Sequence, residues 1–255
     1  MARVAEGDLD VTVTVDSSTE VGRLQSGFNR MAAGLREREH LRDLFGQHVG
    51  SDVARTALER GIDLRGETRQ ATVLFVDVVA STGMAERLPP REVLSLLNRL
   101  FTVVVEVVDE HHGWINKFVG DAAMAVFGVP EWIDDHPGAA LAAARQLAVE
   151  LDRRVPELDF GSGVATGTVG AGHLGDERRY EYTIIGDTVN VAARLTDVAK
   201  GTPRRVFAHR DAVGAADAEE AANWLPDSPR TVLGRRDTVP VAVPEYGIER
   251  PSSTR

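Results

Sequence analysis

Ala71-Thr72-Val73-Leu74-Phe75-Val76-Asp77-Val78-Val79 is an apolar, β-branched run broken by one carboxylate. Its composition and length predict a buried strand. A charge inside such a run is costly unless it is paired or binds a cation. Asp77 therefore has two readings. It caps the following turn, where Ser81 and Thr82 stand, or it ligates a metal.

Outward from this run, helical and strand patterns alternate. Residues 91–111 place Leu94, Leu97, Phe101, Val104, Val105 and Val108 on one face, the pattern of a core helix. Residues 114–118 and 122–127 read as short strands, with Val119-Gly120-Asp121 as the hairpin turn between them. Residues 138–154 are Ala- and Leu-rich and helical. Residues 163–169 and 180–185 read as two more strands, and the glycine-rich stretch 170–176 between them as a mobile loop. A helix over 187–200 opens on Asp187 in the N-cap position. A strand near Arg205-Val206-Phe207, a short helix and two terminal strands, at about 230–234 and 239–246, complete the order. This order predicts an α+β fold, with helices packed on a mostly antiparallel sheet.

Residues 1–48 differ. Val21, Leu24, Phe28, Met31 and Leu35 are spaced by 3, 4, 3 and 4 residues, a heptad seam. Arg38 and Arg42 hold the next two seam positions, and Phe45 and Val49 resume it. The segment is either an amphipathic helix on its own domain or a parallel two-stranded coil with a polar interruption. Residues 59–67 are loop-like and mark a boundary.

The chain has 255 residues, 43% hydrophobic and 27% charged, which fits a folded globular protein. Its net charge of −10 argues against a nucleic-acid binder working through a basic surface. A local site with Lys, Arg and Mg²⁺ can still hold ATP on an acidic protein. Without cysteine there are no disulfides or thiolate metal sites. No apolar run of about 18 residues is present to span a membrane, and the first residues lack a signal peptide's apolar stretch.

Asp121 alone is an ordinary turn residue. Paired with Asp77 on neighbouring strand ends, it could share hard cations such as Mg²⁺ or Mn²⁺. Asn190 and Arg194 lie four apart on one helix face. They are an exposed polar stripe, or a sugar contact and a phosphate fork. Lys117 by itself reads as an edge-strand lysine facing solvent. His111-His112 reads as a solvated helix end, and no Walker loop, Rossmann fingerprint or His-Glu-x-x-His is present.

Three stretches together resemble the class III adenylyl/guanylyl cyclase catalytic domain. They are residues 73–82, then Asn116-Lys117-Phe118-Val119-Gly120-Asp121, then 182–195, which contains Gly186-Asp187-Thr188-Val189-Asn190-Val191-Ala192-Ala193-Arg194. The resemblance implies a ferredoxin-like-derived cyclase fold over 68–247. It divides the rest into a partial HAMP module and signalling helix over 1–48, a linker over 49–67 and a disordered tail over 248–255. The first HAMP helix and the membrane spans that usually precede it are expected to lie outside this sequence.

The resemblance also implies roles. Asp77 and Asp121, with the Val78 carbonyl, are expected to hold two Mg²⁺ or Mn²⁺ ions per site. One ion acidifies the ribose 3′-hydroxyl and the other binds the triphosphate. The backbone of Val79, Ala80, Ser81 and Thr82 is expected to cradle phosphates. Asn190 orients the ribose, and Arg194 neutralises charge on the α-phosphate in the transition state. Lys117 and Thr183 read adenine, which reverses the plain reading of Lys117. Thr183 stands where adenylyl cyclases often carry Asp. Guanylyl cyclases usually carry Glu and Cys at the two base-reading positions. Leu233 occupies the place of a triphosphate-binding Lys, so Arg235 or Arg236 is the expected substitute. Metal residues act from one subunit and the others from its partner, so the implied assembly is a homodimer with shared sites. The implied setting is cytoplasmic and the implied product cyclic AMP. A guanylate or mixed-specificity cyclase, and a catalytically silent nucleotide-binding signalling domain, are the alternatives.

Overall fold

The computed structural model describes residues 8, 10–15, 20–49, 66–176 and 179–245. The chain divides into two compact units, Met1–Gly61 and Ile62–Arg255. Sequence expectations for residues 50–65 and 248–255, and for the side chains of Arg38, Arg42, Phe45 and Val49, lie outside the described residues.

In the first unit, α1 spans Glu20–Val49. The Asn29 amide closes two bonds on the Val13 backbone, donating to its carbonyl at 2.8 Å and accepting from its N–H at 2.9 Å. Ala32 is fully buried, while Val21, Leu24 and Met31 of the heptad seam are 61%, 70% and 49% exposed. The seam is thus open in the single chain.

The second unit is built on eight strands. These are β1 (Glu67–Val78), β2 (Trp114–Val119), β3 (Ala122–Phe127), β4 (Phe160–Asp176), β5 (Arg179–Ile185), β6 (Val206–His209), β7 (Trp224–Arg230) and β8 (Val239–Pro244). The helices are α2 (Ser81–Arg87), α3 (Pro90–Glu110), α4 (His136–Arg154), α5 (Asp187–Lys200), α6 (Arg210–Ala215) and α7 (Ala218–Ala221). The sheet order is β2-β3-β1-β4-β6-β8-β7, with β5 on β4. Among the described strand pairs, β4–β6 is parallel and the rest are antiparallel. The α+β, mostly antiparallel expectation holds.

The apolar run of β1 follows from burial on both faces. Leu74, Val76 and Val78 enter one core with α3 and α4. Ala71 and Val73, with Phe75 packed beside them, face a second core that includes Val191, Ala192, Leu195 and Ala199 of α5. Strand side chains alternate, so Asp77 continues the α5 face. Truncating a fully buried residue such as Leu74 or Leu195 to Ala costs about 2–5 kcal/mol.

Four local expectations are corrected. Residues 170–176 form no loop: they are the outer half of β4, paired with β5 from Gly170↔Ile185 to Asp176↔Arg179. Backbone pairing with an aromatic-rich partner outweighs the poor strand preference of glycine. The buried arc of α3 is Leu100, Val103, Val104, Val107 and Val108, while Leu94 and Val105 are 60% and 43% exposed. The apolar stripe covers about half of the helix circumference, and packing decides which part of that stripe is buried. The N-cap of α5 is Gly186, and Asp187 is its first helical residue. An acid in the first turn satisfies the helix dipole equally well. Last, the penultimate strand is Trp224–Arg230, not 230–234.

Candidate active site

Asp77 is the second-last residue of β1 and pairs with Ala122 on one side and Gly161 on the other. Asp121 directly precedes Ala122 in the β2–β3 turn, where Gly120 takes the left-handed φ of 65° that the turn requires. The two carboxyls therefore meet across neighbouring strand ends. Asp77 Oδ2 accepts a hydrogen bond from Lys200 Nζ. Among the described residues, Asp77 Oδ1 is buried with no hydrogen-bond partner. Burial raises the Asp77 pKa, and the Asp121 carboxyl raises it further, outweighing the pull of Lys200. Burial opposes charge on Lys200, but the bond to Asp77 raises its pKa overall, helped by Asp197.

An orphaned buried carboxylate oxygen beside a second carboxylate suits a hard divalent cation. Among the described residues no group of three His, Cys, Asp or Glu side chains could hold a metal. Any further oxygen must then come from backbone or substrate, as expected of Val78, whose side chain is buried at the end of β1. Beyond it, Val79 N–H donates to the Asp159 carbonyl at 2.8 Å. Ala80 is left-handed at φ 55° and ψ 33°, and no side chain caps α2. Ser81 and Thr82 form the first turn of α2, so helix-terminal N–H groups follow Asp77 within a few residues.

Lys117 reaches the same sheet face through a β-bulge. Ile115 pairs with Ala125 and Lys117 with Met124, leaving Asn116 as the extra residue. Ile115 therefore packs on the α3–α4 side, whereas Lys117 shares the face of Met124 and Phe75. The bulged Asn116 donates to the Tyr182 carbonyl at 3.1 Å and accepts from Thr183 Oγ1 at 3.2 Å. Lys117 Nζ bonds Glu181. Thus β5, paired with β4, crosses to β2 through side chains, and Lys117 and Thr183 come together around Asn116.

Asn190 is exposed on α5. Arg194 Nη1 donates to Asp197 Oδ2 at 3.3 Å, and Asp197 Oδ1 lies 3.5 Å from Lys200 Nζ. Arg235, in the β7–β8 loop, donates to Asp187 Oδ2 at 3.0 Å at the start of α5. Arg236 is exposed in that loop, and Leu233 is 78% exposed. Sequence reading missed Asn116, Glu181, Asp197 and Lys200. Asp197 continues the Asn190/Arg194 stripe at i+7 and was accessible to that signal. Lys200 looks like any lysine closing a helix, and nothing in the sequence ties it to Asp77.

The described residues of this unit thus present a carboxylate pair, a helix start and several acid-held cations. Residues 65–214 match the family of the adenylate and guanylate cyclase catalytic domain, and residues 1–37 match the HAMP domain. The chain belongs to the adenylate and guanylate cyclase catalytic domain family, with a HAMP segment preceding the catalytic domain.

An uncharacterized Mycobacterium tuberculosis protein is 48% identical over 244 residues, covering 96% of this chain and 46% of that protein. An uncharacterized Mycobacterium bovis protein is 45% identical over 251 residues, covering 98% and 46%. The chain thus spans about half the length of these curated relatives. Among solved structures, a bacterial light-regulated adenylyl cyclase superposes with a TM-score of 0.74 at 20% identity, covering 91% of this chain and 68% of that one. The guanylyl cyclase Cya2 gives 0.61 at 27% identity, covering 74% and 97%. The adenylyl cyclase CyaB from P. aeruginosa gives 0.63 at 23% identity, covering 71% and 97%.

Proposed function

We propose that this nucleotide cyclase domain is an adenylate cyclase, converting ATP to 3′,5′-cyclic AMP and pyrophosphate at sites shared by two copies of the chain. The observation that carries the adenine reading is the convergence of Lys117 and Thr183 around Asn116. An ammonium donates to a ring nitrogen of adenine, and a hydroxyl accepts from its 6-amino group.

Asp77 and Asp121 hold the cations, two Mg²⁺ or Mn²⁺ ions, with the Val78 carbonyl. When bound, these ions supply acidification of the ribose 3′-hydroxyl and charge neutralisation at the departing pyrophosphate. The backbone N–H groups of Ala80, Ser81 and Thr82 hold phosphate oxygens, while that of Val79, expected to join them, is already given to the Asp159 carbonyl. Asn190 fixes the ribose. Arg194 leaves Asp197 and moves onto the α-phosphate, where its fork meets the charge that develops in the in-line transition state. Arg235 and Arg236 lie in the β7–β8 loop, within reach of the substrate's triphosphate only if Arg235 releases Asp187.

Two features support a homodimer. The exposed apolar residues Val119, Leu174 and Ile185 are 57%, 64% and 62% accessible and flank the metal pair or the β4–β5 arm. The α1 seam is open as well. In such a dimer Asp77 and Asp121 of one copy face Lys117, Thr183, Asn190 and Arg194 of the other.

A guanine reading has its own support. Glu181 bonds Lys117 at the base position, and a carboxylate accepts well from guanine N1–H and its 2-amino group. The test is turnover of ATP and of GTP with Mn²⁺ over a protein dilution series. Cyclic AMP formed with a specific activity that falls on dilution supports the proposal. Preference for GTP overturns the adenine reading, and dilution-independent activity overturns the shared sites. No cyclic product from either nucleotide favours a silent nucleotide-binding domain.

A further inference from the structure

Lys200 sits where it does by construction. Asp77 pairs with Gly161 across the β1–β4 ladder. A Cβ on Gly161 would lie 2.7 Å from Lys200 Cγ and 2.8 Å from its backbone nitrogen. Only glycine lets the end of α5 come down this closely beside Asp77. The Lys200 ammonium bonds one oxygen of Asp77 and leaves the other buried and unpartnered. A second acid, Asp197, stands 3.5 Å from the same ammonium. Asp197 also holds Arg194, while Asp121 faces Asp77 from the β2–β3 turn.

We propose that Lys200 is a positioning residue of the cation subsite: its ammonium holds Asp77 while no ion is bound, and a divalent cation binds by displacing it onto Asp197. The inference rests on the reading of Asp77 as a cation ligand. An ammonium and a divalent cation compete for the same carboxylate, so Lys200 lowers cation affinity. It also keeps Asp77 oriented, so the ligand is pre-placed. Asp197 provides the destination that makes displacement cheap. A lysine that merely closes a helix would leave cation affinity unchanged.

The test is Mn²⁺ binding to the full 255-residue chain without nucleotide, followed by the electron paramagnetic resonance signal of free Mn²⁺ at one fixed pH. Thermal melts confirm that each variant is folded. Lys200→Met is expected to tighten the Kd about tenfold, and Lys200→Arg to stay within about twofold of wild type. Asp197→Asn is expected to weaken binding about threefold alone and to have no effect in the Lys200→Met background. If Lys200→Met does not fold, Lys200→Gln replaces it in both measurements. A folded neutral variant whose Kd is unchanged or weaker overturns the inference. So does an Asp197→Asn effect that survives without the lysine. Asp77→Asn separates the two levels. If wild type has no Mn²⁺ site that depends on Asp77, the cation reading and this inference fall together. If it has one that is indifferent to Lys200, this inference falls alone.

Discussion

Asp77 and Asp121 are set by backbone register on adjacent central strands, with Asp77 half-buried and tied to its own chain's Lys200. Lys117, Thr183, Asn190 and Arg194 lie on the bulged edge strand, the β4–β5 arm and the outer side of α5. Three cations on this second side, Lys117, Arg194 and Arg235, are held by Glu181, Asp197 and Asp187. The first half is a fixed scaffold that stores electrostatic cost. The second is a set of cations each held by an acid, which in the proposed function it exchanges for the nucleotide. In the proposed dimer the two sets come from different copies of the chain.

The largest expected effects fall on the fixed half. Asp77→Ala or Asp121→Ala should lower the rate of cyclic product formation about 10³-fold or more, since each removes metal-borne charge stabilisation worth several kcal/mol. Arg194→Ala should cost about 10²–10³-fold in kcat. Retained activity in the Asp variants would break the comparison at its root.

Mixing the halves comes next. Neither Asp77→Ala nor Arg194→Ala subunits should be active alone. An equimolar mixture should recover up to about a quarter of wild-type activity, because about half the dimers are mixed and each has one intact site. No recovery from heterodimers proven by tagging would place both halves in one chain.

The reading half should respond more gently. Glu181→Gln releases Lys117 from an exposed ion pair worth about 0–1 kcal/mol, so the ATP KM should fall by about threefold with little change in kcat. A rise in KM accompanied by lost GTP turnover would instead make Glu181 part of base recognition.

The smallest effect is on pH dependence. The Asp77 pKa is raised, so the carboxyl keeps its proton to higher pH than an ordinary aspartate. Cation binding needs the ionised form. Mn²⁺-dependent activity should therefore fall, as pH drops, at a point above the ordinary aspartate range of about 3.9. Lys200→Met removes the neighbour that pulls this pKa down, so the acid limb, read at Mn²⁺ far below saturation, should move further up. A limb that moves down would contradict the charge arrangement around Asp77.

Much of the fixed half was legible in the sequence. A lone Asp in an apolar run is a conflict that a reader can see, and Gly120-Asp121 announces its own turn. Their meeting depends on β1 lying beside β3, a pairing across some forty residues that no local pattern announces. The second half was legible only through resemblance, because Lys117 alone reads as a solvent-facing edge lysine and Asn190/Arg194 as a polar stripe. Its partners Glu181, Asp197 and Lys200 carry no local signature, since ion pairs between residues far apart in sequence have no period. The stretch 170–176 was misread because glycine content reports backbone freedom, not the presence of a pairing strand.

The sequence by itself determined that β1 is buried, that Asp121 closes the β2–β3 turn, and that Asn190 and Arg194 share a helix face. These follow from periodicity and from turns of fixed length. Only the tertiary structure decided which face Lys117 occupies, because the bulge at Asn116 shifts the alternation by one residue. It also decided that β5 folds across to β2, and that the absent side chain of Gly161 lets Lys200 rest on Asp77. Those contacts join residues from separate parts of the chain, and their distances exist only once the sheet has closed.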